Sequence, residues 1–133
     1  MPRFDGSNSI ETYRYPCVCC GHLTFSVDSW PGSFHICPIC FWEDDLTQLE
    51  DPFDNSGANP ISLLTAQLNY QAFGACDKSC LPHVQQPTEE QPLSSFWRLI
   101  DQEVDDFLAG EVDPTDWRTY CWWLPQFRKQ NRE

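Results

Sequence analysis

Four of the eight cysteines fall into two pairs of the kind that holds a metal ion. Two residues separate Cys17 from Cys20 and Cys37 from Cys40, and sixteen residues lie between the pairs. This spacing is typical of a four-cysteine zinc site, because each C-x-x-C turn directs two thiolates at one ion. Four thiolates fill the tetrahedral sphere of Zn²⁺ and leave no position for water. The sequence therefore predicts one structural zinc ion, with an iron–sulfur cluster as the alternative.

The first pair is ambiguous because a third cysteine lies inside it. Cys17, Cys19 and Cys20 cannot all bind one ion together with the second pair. We assign Cys17 and Cys20, since a C-x-C pair would strain the turn. Cys19 is then either an ordinary thiol or a reactive thiolate activated by the neighbouring metal. His22 and His35 flank the cysteines and are interpreted as ordinary histidines, not ligands.

A second possible cluster lies further along the chain. Cys76 and Cys80 are followed by His83, but a fourth ligand would have to come from distant Cys121. We therefore interpret these cysteines as buried core residues.

The elements that must position the first four cysteines follow from the hydrophobic pattern. Residues 23–27 and 33–36 alternate between apolar and polar on either side of a Pro-Gly turn, which is typical of a β-hairpin. This hairpin would lie between the two pairs and bring them together. An acidic loop rich in Pro, Gly and Asn follows it, from Glu43 to Pro60.

Two helices are predicted after this loop. The first spans residues 63–73 between an N-capping Ser62 and a terminating Gly74, and its apolar positions form one stripe. The second spans residues 95–109, with an apolar face and an acidic face. A proline-initiated aromatic segment, residues 117–123, follows it.

Together these elements predict an α+β fold in a single domain, residues 1–133. A small zinc-ribbon β-hairpin packs against two main helices, and the aromatic C-terminal helical segment completes the core. The expected parts are the zinc-ribbon unit with its acidic loop (14–60), a first helix (61–80) and a C-terminal helical region (94–127).

The charge balance restricts the possible partners. The chain has 8 Lys and Arg against 20 Asp and Glu, a net charge of −12. Such a field repels phosphate backbones and attracts basic surfaces, and no Lys or Arg lies between Tyr15 and Asp54. Nucleic-acid binding by the zinc ribbon is therefore the weaker alternative. No secretory signal and no apolar run of membrane-spanning length is visible, so we expect a cytoplasmic protein with reduced cysteines and no membrane contact.

Several motifs resemble the bacterial cysteine-rich CPCC family. They are YPCVCCG from Tyr15, ICPICFWEDD from Ile36, NPISL from Asn59 and NYQAFGA from Asn69. The resemblance covers about residues 13–80 and departs from the family name at Val18, where a proline would be expected. It implies a zinc-bearing bacterial protein. Similar proteins occur beside polymorphic toxins, which suggests a role in immunity.

The expected function is binding to another protein, not catalysis. No catalytic constellation is visible, and the only concrete enzymatic alternative is a thiol redox role for Cys19, which competes with metal binding. An acidic immunity protein that blocks a basic toxin domain fits the charge, and a regulatory adaptor is the alternative protein-binding role. The candidate partner contacts are Glu43, Asp44, Asp45, Asp101, Asp105, Asp106 and Trp122.

Overall fold

The computed structural model describes residues 14–26 and 32–105, which form a small mixed α and β structure. None of the helices in these two ranges combines the length and the apolar character that a membrane span requires. In chain order the elements are strands β1 (Arg14–Pro16) and β2 (Leu23–Ser26), helices α1 (Leu46–Glu50) and α2 (Leu63–Phe73), and a 3-10 helix (Lys78–His83).

Each cysteine pair occupies the turn of its own hairpin. Strands β1 and β2 flank the first pair and run antiparallel, with Tyr15 opposite Phe25. The chain reverses in the same way around the second pair, where Ile36 forms an antiparallel bridge with Glu43. The structure therefore contains two short reversals, one for each pair.

The predicted pairing of residues 23–27 with 33–36 is wrong. Strand β2 pairs with the strand before it, and the N–H of Phe34 donates to the carbonyl of Asp44, beyond the second pair, at 2.9 Å. Each cysteine turn reverses the chain by itself, so the segments on either side of it meet after a very short loop closure. The cysteine turns, not the Pro-Gly sequence, set the strand pairing of the described residues.

Helix α2 confirms its predicted bounds. The Ser62 side chain accepts a hydrogen bond from the N–H of Thr65 at 3.1 Å, which caps the first turn. Gly74 ends the helix at a φ of +90°, and its N–H donates to the carbonyl of Tyr70. Leu63 and Ala66 are fully buried, so this stripe of the helix faces the core.

The predicted second helix is absent from its described part, residues 95–105. Residues 92–100 instead form an extended segment, here called the strap, which crosses the first cysteine turn. The N–H of Ser94 donates to the carbonyl of Gly21 at 2.8 Å, and Trp97 Nε1 donates to the carbonyl of Val18 at 2.9 Å. The N–H of Ile100 donates to Gln67 Oε1 at 3.0 Å, so a tertiary partner satisfies a backbone group that a helix would satisfy internally. Phe96, expected on the buried face, is 67% exposed.

The rest of the predicted C-terminal helical region, residues 106–127, lies outside the described residues. The helical interpretation of residues 94–127 is therefore wrong for the strap, and the aromatic segment at 117–123 stays a prediction.

The predicted acidic loop is more ordered than expected. It contains helix α1, and the buried side chain of Gln48 fixes the chain that follows. Gln48 Nε2 donates to the carbonyls of Asp54, Asn59 and Ile61 at 2.9, 3.1 and 3.0 Å. Through these three hydrogen bonds the buried Gln48 amide holds the loop against the core.

Substitution of two glycines should separate backbone strain from crowding by the strap. Gly21 and Gly74 both have positive φ, at +83° and +90°. A Cβ at Gly21 would lie 2.6 Å from Trp97 Cδ2 and 2.8 Å from Leu93 Cδ1, whereas a Cβ at Gly74 would meet nothing within 4 Å. We expect Gly74→Ala to lower the free energy of unfolding by about 1–2 kcal/mol and Gly21→Ala by roughly 3–5 kcal/mol. Denaturant unfolding of metal-loaded protein measures both, and equal losses would contradict the docking of the strap.

Candidate metal centre

The two cysteine turns have the same backbone geometry. In the first, the N–H of Gly21 donates to the carbonyl of Cys17 at 2.7 Å, and the N–H of Cys17 donates to the carbonyl of His22 at 2.9 Å. In the second, the equivalent bonds run from Phe41 to Cys37 and from Cys37 to Trp42, at 2.8 and 2.9 Å. The chain thus builds the same turn twice, with equivalent positions twenty residues apart, and presents two thiols from each.

The residue after each pair adopts a left-handed conformation. In the first turn this residue is Gly21, which tolerates its φ of +83° because it has no Cβ. In the second it is Phe41, at a φ of +73°, where a bulky side chain is strained. The Phe41 ring stacks on the His83 ring with 5.0 Å between centroids. Phe41 follows Cys40 as Gly21 follows Cys20. This equivalence is the sequence signal that could have revealed the strained backbone at Phe41.

The four sulfurs converge in the interior. The Sγ atoms of Cys17, Cys20, Cys37 and Cys40 all lie within 4.8 Å of one another, and each residue is at most 1% exposed. Cys17 Sγ lies 3.5 Å from Cys40 Sγ, and Cys20 Sγ lies 3.8 Å from Cys37 Sγ. Bonds of 2.3 Å to a tetrahedral zinc place sulfurs about 3.8 Å apart, whereas a disulfide brings them to about 2.05 Å. The cluster could hold one metal ion, and its donor set fits Zn²⁺.

The sulfurs differ in their affinity for protons. Burial raises the pKa of the Cys17, Cys20 and Cys40 thiols well above the usual thiol value. Burial acts in the same direction on Cys37, but hydrogen bonds from the other three sulfurs hold its pKa well below the usual value. Without metal, the cluster therefore retains protons at neutral pH, and a bound cation must displace them.

The other cysteines and histidines of the described residues do not join this cluster. Cys19 is fully buried beside it but is not a member. His22 Nδ1 is hydrogen-bonded to the carbonyl oxygen of Gln91 at 2.8 Å, and His35 is exposed. In the two described ranges, the four-cysteine cluster is the only group of three or more potential ligands close enough to share an ion.

The second possible cluster is reduced to one pair of thiols. Cys76 Sγ lies 3.8 Å from Cys80 Sγ, and no third ligand joins them among the residues that the structure covers. Cys121, which would have had to complete that site, lies outside the described residues. Cys76 is buried as expected, whereas Cys80 is partly exposed.

Two of the predicted partner contacts, Asp44 and Asp45, are buried inside the protein. Asp44 Oδ2 accepts hydrogen bonds from the N–H and the hydroxyl of Ser33 at 2.9 and 2.7 Å. Asp45 caps helix α1 through Oδ1, which accepts from Thr47, and its Oδ2 accepts from the N–H of Ala58. These carboxylates fix the second hairpin and the loop, so they are not available to a partner.

The remaining predicted contacts lie in different settings. Asp105 is also buried, where it pairs with Arg98 and accepts from the N–H of Asp101. Glu43 is partly buried and Asp101 is exposed. Asp106 and Trp122 lie outside the described residues.

A comparison with protein families agrees with the geometry of the two cysteine turns. The model of the cysteine-rich CPCC family matches residues 15–91, more than half of the chain. The chain belongs to the cysteine-rich CPCC family. The match includes both cysteine turns, helix α2 and the 3-10 helix, and it extends past residue 80, where the motif resemblance ended. Comparison with curated proteins gave no match.

Removal of one clustered thiol should release the metal from this CPCC-family protein. Cys37→Ser leaves three sulfurs for a site that needs four, so we expect loss of stoichiometric zinc and of several kcal/mol of stability. Elemental analysis and denaturant unfolding measure the two effects. Cys19→Ser is the matched control because Cys19 is equally buried but outside the cluster. Zinc retained in Cys37→Ser, or lost in Cys19→Ser, would contradict the assignment of the four ligands.

The stability of the metal-loaded protein should fall in acid. Protons compete with the cation for the sulfurs, so the unfolding midpoint should decrease between about pH 8 and pH 5. In the metal-free protein this competition is absent, and three of the four thiols should instead reduce stability in alkali. The raised pKa values of Cys17, Cys20 and Cys40 favour its folded state below the unfolded thiol pKa, and this contribution is lost above about pH 9. Thermal unfolding with and without a chelator tests both, and identical pH profiles would contradict them.

Proposed function

We propose that this CPCC-family protein is a zinc-stabilised inhibitor that neutralises a basic bacterial toxin domain as its immunity protein. The zinc would be held by Cys17, Cys20, Cys37 and Cys40, and its chemistry would be structural cross-linking of the two turns. The cluster is buried and its four thiols saturate the ion, so the site supports a scaffold role and leaves the function to the surface.

The observation that carries this proposal is an exposed aromatic residue surrounded by carboxylates. Phe53 is 53% exposed and follows helix α1. Glu50 and Asp51 precede it and are exposed, and Asp54 follows it and is partly buried. We call these four residues the Phe53 knob. A large aromatic anchor inside a charged rim is the arrangement that concentrates binding energy at protein interfaces.

The Phe53 knob is held in place by the loop beneath it. The N–H of Phe53 donates to Asp51 Oδ1 at 3.1 Å, and the Gln48 amide binds the carbonyl of Asp54. Hydrogen bonds from the Ser56 hydroxyl and N–H lower the pKa of Asp54, which therefore stays ionised. A preformed surface loses less conformational entropy when it binds.

The electrostatics favour a basic partner. In the described ranges the basic residues are Arg14, Lys78 and Arg98, and the acidic residues outnumber them. Arg98 pairs with Asp105, and the Lys78 ammonium lies over the Phe73 ring. The negative field would accelerate encounter with a cationic toxin surface and would repel nucleic acids.

The test examines the genes beside this one, among which we expect one that encodes a basic toxin domain. We expect the purified zinc-loaded protein to bind that domain, to block its activity, and to associate more slowly as salt increases. Phe53→Ala should weaken binding at least about tenfold, as loss of an interface anchor does. Phe96→Ala is the matched control, because Phe96 is an equally large and more exposed aromatic on the strap. Absence of binding, or equal losses in the two variants, would overturn the proposal.

A further inference from the structure

Two cysteines outside the metal cluster form a close pair, one thiol buried and one partly exposed. Cys76 follows the end of helix α2, and Cys80 lies in the 3-10 helix, with the two Sγ atoms 3.8 Å apart. Asp77 fixes the turn between them: its side chain accepts from the N–H of Ser79 at 3.0 Å, and its carbonyl accepts from the N–H of Cys80 at 2.9 Å. A disulfide requires the sulfurs to approach to about 2.05 Å, which is a small movement from this position.

The two thiols line a cleft that is separate from the interior of the metal cluster. The cleft has a volume of about 170 Å³, enough for a small molecule. The residues that line it include Ile36 and Ile61, which are apolar, and Glu43 and Asp77, which are acidic. Cys80 is partly exposed at this surface, whereas Cys76 is only 3% exposed. The cleft therefore presents one accessible thiol, one buried thiol and two negative charges.

We propose that Cys76 and Cys80 are a redox modification site that reacts with small cationic disulfides. Cys80 is the thiol that an incoming disulfide reaches first, and Cys76 resolves the product. Glu43 and Asp77 favour a reagent with ammonium groups over one with carboxylates. The four metal-binding cysteines are at most 1% exposed, so the same reagent does not reach them in the folded protein.

The reaction is a two-step thiol–disulfide exchange. The Cys80 thiolate attacks one sulfur of the small disulfide RSSR, which forms a Cys80–S–SR bond and expels RS⁻. The Cys76 thiol, whose pKa burial raises, gives up its proton as its sulfur attacks Cys80 Sγ, forms the Cys76–Cys80 disulfide and expels the second RS⁻. The two expelled thiolates take up the two protons that the cysteines release. The protein dithiol is oxidised by two electrons, and the small disulfide is reduced to two thiols.

The test treats the zinc-loaded full chain with cystamine, a cationic disulfide, and with 3,3′-dithiodipropionic acid, an anionic disulfide of similar length. Cleavage before aspartate gives peptides 54–76 and 77–100, which contain Cys76 and Cys80 as their only cysteines. We expect cystamine to join these two peptides by a bond that a reducing agent breaks, while the zinc stays bound. Linkage to any other cysteine, zinc release before linkage, or no reaction would overturn the proposal.

Three variants separate the steps. Cys76→Ser should stop the reaction at a mixed disulfide on Cys80, and Cys80→Ser should prevent both products. Cys19→Ser, the buried control, should react like the wild type. The reverse pattern, with the mixed disulfide forming on Cys76, would overturn the assigned order of attack.

The preference of the cleft for cationic disulfides can be measured separately, from reaction rates. At low salt cystamine should react several-fold faster than the anionic disulfide, and the ratio should approach one as salt screens the carboxylates. Glu43→Gln should reduce the ratio without changing the linked peptides. Equal rates for the two disulfides at low salt would overturn the cationic preference.

Discussion

The structure depends on the convergence of four buried sulfurs. Cys17, Cys20, Cys37 and Cys40 lie at the centre of the hydrophobic cluster, and the largest core side chains, such as Trp42, pack around them. With strands of three and four residues and a single helix longer than two turns in the described ranges, the chain has little regular structure to hold these groups together. A cation that binds all four thiolates would supply the cross-link that so small a core lacks. The two hairpins, the strap and the acidic loop can then be short, because each is held near the four sulfurs.

Local signals in the sequence were sufficient where they act over a few residues. The spacing of the cysteines identified the cluster, and Ser62 and Gly74 identified the ends of helix α2, because cap chemistry is decided within one turn. Strand pairing was not local in this sense. The alternation in residues 23–27 correctly indicated a strand at Leu23–Ser26, whereas in residues 33–36 Phe34 has a φ of +63° and only Ile36 forms a bridge. Alternation also carries no information about which edge each strand uses.

The strap and the buried acids show where the sequence pattern misleads. The apolar residues in 95–109 are spaced as in an amphipathic helix. Hydrogen bonds from Ser94 and Trp97 to the first cysteine turn instead hold the strap across that turn. These partners are distant along the chain, so no window of sequence contains them. Asp44, Asp45 and Asp105 looked like a solvated charge face because acids are rarely buried unless they are paired. Here backbone N–H groups and Arg98 are those partners, and only the folded chain brings them together.

The two cysteine turns are equal in backbone geometry but are covered by different parts of the chain. The 3-10 helix region lies over the second, through the bond from the N–H of Cys76 to the carbonyl of Cys40, and the strap lies over the first. All four thiols precede both covers in the chain. During synthesis a nascent chain therefore displays its complete set of ligands before either cover exists. The cation can therefore bind first. Later docking of the 3-10 helix region and of the strap would enclose it. The rate of ion exchange would then be limited by partial unfolding and not by the affinity of the site.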